Sequence, residues 1–280
     1  MRIGIAYDNL RKEEKMLLEA GRRLGYDVEL HQVKDAYFTV SSKRDVDFGD
    51  VVLQRCVSYF RGLGITALLE AKGYQVVNDL KSGLLTGNKL FTTALLEKAG
   101  IPTPKTMLAF TKEGGLKALD ELGYPAVLKP VVGSWGRLVA LLKDRDSAEA
   151  VLEDRSYMFP LYQLYYLQEF VKRPPRDIRA FVVGDRVIAA IYRISQNWRT
   201  NTALGGRAED CPVTDELEEL VLKAVETVGE GVYGVDCMES EDGYLVHEIN
   251  GTVEFRHSVS VTGVDIPGEI IKYAARRAKR

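Results

Sequence analysis

The chain has 280 residues, of which 46% are hydrophobic and 28% are charged, and its formal net charge is −2 at pH 7. This length and apolar content favour an ordered globular protein with a large core, and the balanced charge argues against a nucleic-acid-binding protein. No apolar stretch approaches the roughly 18 residues of a membrane helix, and no secretory signal precedes the first strand, so we expect a cytoplasmic protein without membrane association. Cys56, Cys211 and Cys237 have no metal-binding spacing, which predicts reduced, mostly buried thiols and no zinc site.

Residues 1–85 alternate strand and helix patterns, which predicts a small α/β lobe with a parallel sheet. The glycine fingerprint of dinucleotide-binding sheets is absent after the first strand, so we interpret this lobe as one wall of a substrate site. Arg55 follows a strand end, where such sheets place ligands, and a binding role and a surface-loop role both remain open. Strands are expected at residues 3–7, 28–32, 50–54 and 75–78, and helices at 11–24 and 63–71.

Residues 86–165 form a second unit that contains two lysines in positions typical of anion binding. Lys89 lies in the first turn of a predicted helix at 89–98, where the helix dipole disfavours a cation unless an anionic partner is near. Lys129 ends a short apolar strand, and a glycine-containing hairpin follows, whose backbone N–H groups could approach phosphate oxygens. This hairpin differs from a Walker loop, and a plain turn is the alternative interpretation. It comprises Gly133, Ser134, Trp135, Gly136 and Arg137.

The third unit, residues 166–280, is predicted to begin with strands rather than helices. Asp177 and Arg179 alternate onto one face of a strand, and a face that carries an acid and an arginine is not a core face. The strand patterns occupy residues 167–171, 177–183 and 186–193.

Residues 195–207 are polar and contain glycine, and they precede a predicted helix at 214–228 for which Thr214 or Asp215 is a suitable N-cap. We interpret 195–207 as a loop that packs over a site.

Two further strand patterns, 234–238 and 244–250, are joined by a turn at 241–243 and form a predicted hairpin. This pairing places Asp236 beside Glu248 and Asn250, which project from the same face because they are two residues apart on one strand. Two carboxylates and an amide oxygen form an all-oxygen site that suits Mg²⁺ better than zinc. An ordinary solvated hairpin is the alternative.

The ordered set of two lysines, a glycine hairpin, an acidic strand and an oxygen cluster resembles the ATP-grasp superfamily, from Lys89 to the end of the chain. The resemblance implies an α/β protein with α+β lobes, in which an N-terminal Rossmann-like lobe precedes two lobes that clasp ATP. The implied boundaries are residues 1–85 for the N-terminal pre-ATP-grasp lobe, 86–165 for the central lobe with its flap, and 166–280 for the C-terminal lobe with the metal and substrate site.

Roles for these residues follow from the same resemblance. Lys89 and Lys129 would contact the phosphates of ATP, and residues 133–137 would form the mobile flap over them. One or two Mg²⁺ ions would be held by Asp236, Glu248 and Asn250. The adenine base would lie against the hinge Glu169, Phe170 and Val171, with Asp177 and Arg179 nearby.

Particular segments resemble the LysX-like ligases, which belong to the RimK-like branch and act in carrier-protein-dependent lysine biosynthesis. Such enzymes join the amino group of 2-aminoadipate to the side-chain carboxylate of the C-terminal glutamate of LysW, a small acidic carrier protein, through an acyl phosphate. The similar ArgX enzymes use glutamate instead and lead towards arginine or ornithine. The resemblance also implies a homodimer or homotetramer. The matching segments are residues 54–58, 129–137, 201–206 and 262–268.

By this similarity, Arg193 and Asn201 would meet the amino-acid substrate or the acyl phosphate, and Thr202 the nucleotide. Arg193, Arg179 and Lys129 are the predicted catalytic residues, and no side chain identifies itself as the base that deprotonates the amine. The segment predicted to contact the substrate side chain is Glu254, Phe255, Arg256, His257 and Ser258.

The pair at 257–258 departs from both patterns, since LysX-like enzymes commonly have Asn followed by Thr or Ser there, and ArgX-like enzymes have Gly-Phe. We therefore leave the use of 2-aminoadipate, glutamate or both open. Two other functions remain alternatives: a RimK-like ligase that adds glutamate to another protein tail or peptide, and a non-catalytic ATP-binding module.

Overall fold

The computed structural model describes residues 1–41, 43–44, 46–198 and 207–279. The first of its three sheets has four strands in the order β2-β1-β3-β4, and every neighbouring pair is parallel, which confirms the predicted α/β arrangement. The strands are β1 (Arg2–Tyr7), β2 (Asp27–Gln32), β3 (Val51–Gln54) and β4 (Gln75–Val77), and the helices are α1 (Lys12–Arg23), α2 (Tyr59–Ala71) and α3 (Leu80–Thr86). Helix α3 was not predicted.

The second sheet is antiparallel, with the order β5-β8-β6-β7. Its strands are β5 (Thr106–Ala109), β6 (Ala126–Lys129), β7 (Ala140–Leu142) and β8 (Tyr165–Glu169). The helices of this region are α4 (Lys89–Lys98), α5 (Lys112–Leu122), α6 (Arg145–Ser156) and a short 3-10 helix, Pro160–Gln163. The sequence patterns predicted α4 but neither α5 nor α6.

The strand β8 corrects one prediction. We expected a strand at 167–171 to open the third unit, but β8 pairs with β5 and β6 and lies inside the second sheet. The alternation of apolar and polar residues correctly predicted a strand. The strands that β8 pairs with, however, are determined by packing between segments far apart in sequence. The lobe boundaries at 85/86 and 165/166 stay a proposal.

The third sheet has five antiparallel strands in the order β11-β10-β9-β12-β13. Asp236 lies opposite Glu248 and Gly234 lies opposite Asn250, which confirms the predicted hairpin. The Thr214 side chain caps α7 by accepting a hydrogen bond from Leu217 N–H. The strands are β9 (Arg176–Val183), β10 (Arg186–Ile194), β11 (Arg207–Asp210), β12 (Val232–Ser240) and β13 (Gly243–Asn250), and the helices are α7 (Asp215–Glu226), α8 (Ser258–Thr262) and α9 (Ile266–Arg277).

Two of the hydrophobic cores are distributed differently over the chain. One core joins residues of the first sheet and α1 to residues of β9, β10 and α9, and it includes Ile3, Ile5, Leu17, Phe181, Val183, Ile270 and Ile271. Another core lies wholly within the second sheet and its helices, and it includes Leu116, Leu119, Leu128, Leu152 and Leu167. The first sheet and the C-terminal region therefore share one core, and the second sheet has a separate one. Leu96 and Ile101, at the end of α4, pack instead with the third sheet and α7. None of the described helices is long and apolar enough to cross a membrane.

Asn78, which is 8% exposed, ties the end of the first sheet to the third. Its amide nitrogen donates to the carbonyls of Val232 and Gly251 at 2.8 and 2.9 Å, and its amide oxygen accepts from Val232 N–H at 2.7 Å. One side chain thus satisfies three backbone groups, which would otherwise be buried without partners.

The substitution Asn78→Ala should lower the free energy of unfolding by about 3 kcal/mol, because buried backbone groups would lose their hydrogen bonds. Urea unfolding followed by circular dichroism measures this loss. Asn9→Ala, at an exposed asparagine of the same lobe, is the matched control and should change stability by no more than about 0.5 kcal/mol. Equal losses for the two variants would contradict the bridging role of Asn78.

Candidate active site

A cavity of about 500 Å³ is lined by residues of all three sheets and their loops. The structure brings together in its wall most of the residues that the sequence singled out. These are Lys89, Lys129, Gly133, Ser134, Trp135, Gly136, Arg137, Glu169, Phe170, Val171, Asp177, Arg179, Arg193, Asp236, Glu248, Asn250 and Glu254.

Charged side chains form a continuous row across β10, β9 and β12, three neighbouring strands of the third sheet. Arg193 lies opposite Asp177, and its Nε and Nη2 donate to the two carboxylate oxygens at 2.6 and 2.8 Å. Arg179 lies opposite Asp236 and binds that carboxylate through Nε and Nη2. Arg193 Nη2 is also 3.0 Å from Asp236 Oδ2, so the two pairs are joined. We call these four residues the charged row.

Asp236 is the most constrained member of the charged row, because it is 3% exposed and contacts two guanidinium groups. Burial would raise the pKa of its carboxyl, but Arg179 and Arg193 outweigh burial and hold the pKa well below its ordinary value. Burial likewise acts to lower the pKa of Arg193, and Asp236 and Asp177 overcome it and raise that pKa. Asp236 and Arg193 are therefore ionised in the neutral range.

A β-bulge in β13 determines which side chains reach the cavity. Asp236 lies opposite Glu248, whereas Cys237 lies opposite Val246, so His247 is an extra residue in the strand. Val246 packs into a hydrophobic core, while His247 and Glu248, although adjacent in sequence, both line the cavity. Neither ring nitrogen of His247 has a hydrogen-bond partner among the described residues, and burial lowers its pKa.

The cluster of Asp236, Glu248 and Asn250 fits Mg²⁺ in its chemistry. Its donors are two carboxylates and an amide, and the described residues include no group of three or more His, Cys, Asp or Glu side chains that could hold a metal. Asp236 Oδ1 accepts from Arg179 Nε, and a carboxylate oxygen keeps a second lone pair for another partner. Hard oxygen donors of this kind are the ligands that Mg²⁺ prefers.

The two lysines approach the cluster from the second sheet. Lys89 begins α4 directly after its N-cap Asn88, and its Nζ lies 3.0 Å from Glu248 Oε1 and donates to the Gly133 carbonyl at 2.8 Å. Lys129 Nζ donates to Gln168 Oε1 at 2.5 Å. Burial lowers the pKa of Lys129 to about 8, with Glu248 opposing the shift and Lys89 adding to it. Both ammonium groups thus face the same part of the cavity as the oxygen cluster.

The glycine hairpin at 133–137 borders the cavity in an unusual backbone conformation. Trp135 and Leu138 adopt φ values of 58° and 56°, which are strained for residues with a side chain. The Arg137 guanidinium lies 4.9 Å from the centre of the Trp135 ring, a cation–π contact that holds the tip of the hairpin together. The contact links two residues of the hairpin where it borders the cavity.

The predicted adenine hinge lies at the end of β8. The Glu169 carboxylate accepts a hydrogen bond from Lys105 N–H at 2.7 Å, so it is already paired with the residue that precedes β5. Phe170 is 38% exposed, and its ring meets the Trp198 ring edge to face at 6.2 Å. Val171 also lines the cavity. An aromatic and apolar wall of this kind is suited to a planar base.

Four residues of the predicted substrate segment do not line the cavity. Phe255 is fully buried in the core shared by the N- and C-terminal regions, so its ring cannot contact a ligand there. Ser258 is 2% exposed and begins α8, where its N–H donates to the Phe255 carbonyl. Arg256 and His257 are exposed and hydrogen-bonded to each other at 3.0 Å. Asn201 and Thr202 lie outside the described residues.

Several residues in the cavity wall were missed by the sequence analysis. Arg11, Gln54 and Tyr59 enter from the first sheet, and no local pattern distinguishes them from surface residues. Gln168 alternates correctly with Tyr166 on β8, a signal that could have placed it beside Lys129. The other missed polar or large side chains include Phe60, Arg173, Met238 and His247, whereas Trp198 belongs to the segment 195–207 that was predicted to pack over a site.

Comparison with known proteins gives the class of the chain. The RimK-like ATP-grasp domain matches residues 86–274, and the LysX preATP-grasp domain matches residues 3–85. The chain belongs to the RimK-like ATP-grasp family. It is accordingly an ATP-dependent, ADP-forming ligase, and the ligases of this family use ATP and Mg²⁺. Its N-terminal lobe is of the LysX type.

Individual relatives extend over nearly the whole chain. The alpha-aminoadipate–LysW ligase LysX of Saccharolobus solfataricus is 42% identical over 274 residues, which is 96% of this chain and 99% of that protein. The glutamate–LysW ligase ArgX of Sulfolobus acidocaldarius is 32% identical over 279 residues, 98% of each chain. A RimK domain ATP-grasp protein from Sphaerobacter thermophilus superposes with a TM-score of 0.81 at 28% identity and covers 98% of this chain and 100% of its own.

Binding of ATP should weaken as Lys129 loses its proton. The pKa of about 8 in the free protein would rise when a phosphate pairs with the ammonium, so the Kd for ATP should increase about tenfold between pH 7 and pH 9. Calorimetric titration without magnesium measures this dependence. Lys129→Arg keeps its charge over the whole range and should give a flat profile. The same slope in both proteins would assign the titration to another group.

If Glu248 is a Mg²⁺ ligand as predicted, Glu248→Gln should lower ATP-dependent turnover about 100-fold, because a neutral amide would replace an anionic oxygen donor of the Asp236, Glu248 and Asn250 cluster. Raising the magnesium concentration should recover part of the loss. Glu239→Gln is the matched control, since Glu239 pairs with Arg176 on the same hairpin but does not line the cavity. ADP release measures turnover, and an equal loss in the two variants would contradict the metal assignment.

Proposed function

We propose that the chain joins the amino group of 2-aminoadipate to the side-chain carboxylate of the C-terminal glutamate of a LysW-like carrier protein, in lysine biosynthesis. The observation that supports this most strongly is the agreement of site and sequence. The cavity combines lysines, an oxygen cluster and a wall from a LysX-type lobe, in a chain that is 42% identical to a relative named for this activity.

The chemistry divides between charge neutralisation and positioning. The carrier carboxylate attacks the γ-phosphorus of ATP and forms the acyl phosphate, and ADP leaves with the electrons of the broken P–O bond. Lys89 and Lys129 offset the negative charge of the transferred phosphoryl group. Asp236, Glu248 and Asn250 would hold Mg²⁺, which would supply further charge compensation to the phosphate oxygens. The amine of the amino acid then attacks the acyl carbon, and phosphate leaves with the electrons of the C–O bond.

The charged row contributes a fixed guanidinium group beside the site of phosphoryl transfer. Arg193 is 6% exposed and fixed by Asp177 and Asp236, so its position is set before a ligand arrives. A guanidinium held in this way can receive an acyl phosphate or an α-carboxylate without reorganisation. The glycine hairpin and the segment around Trp198 border the cavity on the solvent side, where they would limit hydrolysis of the acyl phosphate by water.

The amino-acid substrate is the less determined part of this proposal. The relative named for 2-aminoadipate is 42% identical and the one named for glutamate is 32% identical, which favours 2-aminoadipate. The two acids differ by one methylene, which is worth only about 1–3 kcal/mol of discrimination. We therefore include glutamate as a second substrate to be tested. The homodimer or homotetramer and the cytoplasmic location that the sequence suggested stay predictions.

Purified protein with ATP, Mg²⁺ and a LysW-like carrier should release ADP in the presence of 2-aminoadipate, and the carrier mass should increase by one aminoadipyl group. Parallel reactions contain glutamate, or lack the carrier. Modification by both acids would establish a dual-specificity ligase for lysine and for arginine or ornithine synthesis. Turnover without the carrier would support a RimK-like ligase with another acceptor, and no turnover with either acid would refute the proposal.

A further inference from the structure

Arg11 is a cation on the side of the cavity formed by the N-terminal lobe. Among the described cavity-lining residues of that lobe, it is the one lysine or arginine, beside Gln54, Cys56 and Tyr59. It is the N-cap residue of α1, and its side chain is 15% exposed. No sequence pattern indicates a role for it.

One edge of the Arg11 guanidinium is held by a fully buried acid. Nε and Nη2 donate to the two oxygens of Glu14 at 3.1 and 2.7 Å, and Nη2 also approaches the Arg55 carbonyl at 3.4 Å. Glu14 accepts a further bond from Arg55 Nε at 3.2 Å. One buried carboxylate thus serves two guanidinium groups, and it fixes the orientation of Arg11 without satisfying all of its donors.

The remaining corner of the guanidinium has a weaker partner. Nη1 lies 3.4 Å from Glu254 Oε1, and the Glu254 side chain is 33% exposed. Both residues line the cavity. The Arg11 guanidinium can readily exchange this long contact with a partly solvated carboxylate for a contact with another carboxylate. A carboxylate that accepts from two guanidinium N–H groups at once is favoured.

The other cations in the cavity wall have partners outside the N-terminal lobe. Arg179 and Arg193 are held by the charged row, Lys89 contacts Glu248, and Lys129 donates to Gln168. Arg137 lies over the Trp135 ring, and Arg173 donates to the Trp198 carbonyl. An α-carboxylate is one carbon away from the attacking amine and must lie near that reaction centre. A side-chain carboxylate, several carbons away, can reach the opposite wall.

We propose that Arg11 binds the side-chain carboxylate of the amino-acid substrate, which displaces Glu254 from Nη1. This inference rests on the proposed function, because it presupposes a dicarboxylic amino acid as the nucleophile. It makes Arg11 a specificity-determining residue, with Glu14 as its positioning residue. The chain then selects for a charged side chain by a residue of the N-terminal lobe.

The test compares 2-aminoadipate with its 6-amide, which has the same length and amine but no charge on the side chain. The wild-type KM should be about 100-fold higher for the amide, since a fixed guanidinium would lose its carboxylate. In Arg11→Gln, the KM for 2-aminoadipate should rise to that of the amide, while the KM for ATP stays unchanged. Arg11→Lys keeps the charge without the fork and should give an intermediate ratio.

Arg61→Gln is the matched control. Arg61 pairs with the buried Asp8 in the same lobe but does not line the cavity, so its loss should leave the ratio of the two KM values at the wild-type level. A wild-type ratio near one, or equal effects of Arg11→Gln and Arg61→Gln on both substrates, would overturn the assignment. The wild-type ratio and Arg11→Lys decide the question if Arg11→Gln does not fold. Absence of wild-type turnover with any carrier would instead refute the proposed function, and the Arg11 assignment with it.

Discussion

The carboxylate of Asp236, held between Arg179 and Arg193, is the interaction on which the rest of the site depends. Cross-strand register in the third sheet brings these charges together, and their burial requires that each be paired. Removing one partner would leave an uncompensated charge beneath the cavity. The charged row therefore fixes the strand faces from which Glu248 and Asn250 also project.

The ion pair between Lys89 and Glu248 likewise consists of opposite charges that compensate each other inside the cavity. Both side chains belong to the predicted ligand set, one for phosphate and one for metal, and they contact each other at 3.0 Å. Their mutual contact compensates both charges in the free protein. When a metal and phosphates bind, Lys89 would exchange Glu248 for a phosphate, and Glu248 would exchange Lys89 for the metal. Each charge would keep a partner of the opposite sign, so the local charge balance would be preserved.

Local sequence patterns predicted the parts of the site that lie on regular strands. Asp177 and Arg179 share a face because strands alternate, and Asp236 meets Glu248 because a short turn sets the register. The fold class and the proximity of Asp236, Glu248 and Asn250 followed from these patterns and the family resemblance. The catalytic and binding roles of the individual residues stay predictions.

Irregular segments and distant contacts were not predictable in this way. The bulge at His247 breaks the alternation and turns two consecutive side chains to one face, which no periodic pattern anticipates. Phe255 follows Glu254 directly but points into the core, because the segment after β13 has no regular repeat. Arg11 reaches the cavity only through packing of α1 against residues far along the chain.

The apolar core shared by the first sheet, β9, β10 and α9 has a mechanical consequence. Ile3 and Leu17 pack with Phe181 and Ile270, so separating these regions would expose apolar surface on both sides. The second sheet, with its own core, could shift without that cost. We therefore expect any opening or closing of the cavity to move the second sheet, while the first sheet, β9, β10 and α9 stay together as one body that includes the N-terminal lobe.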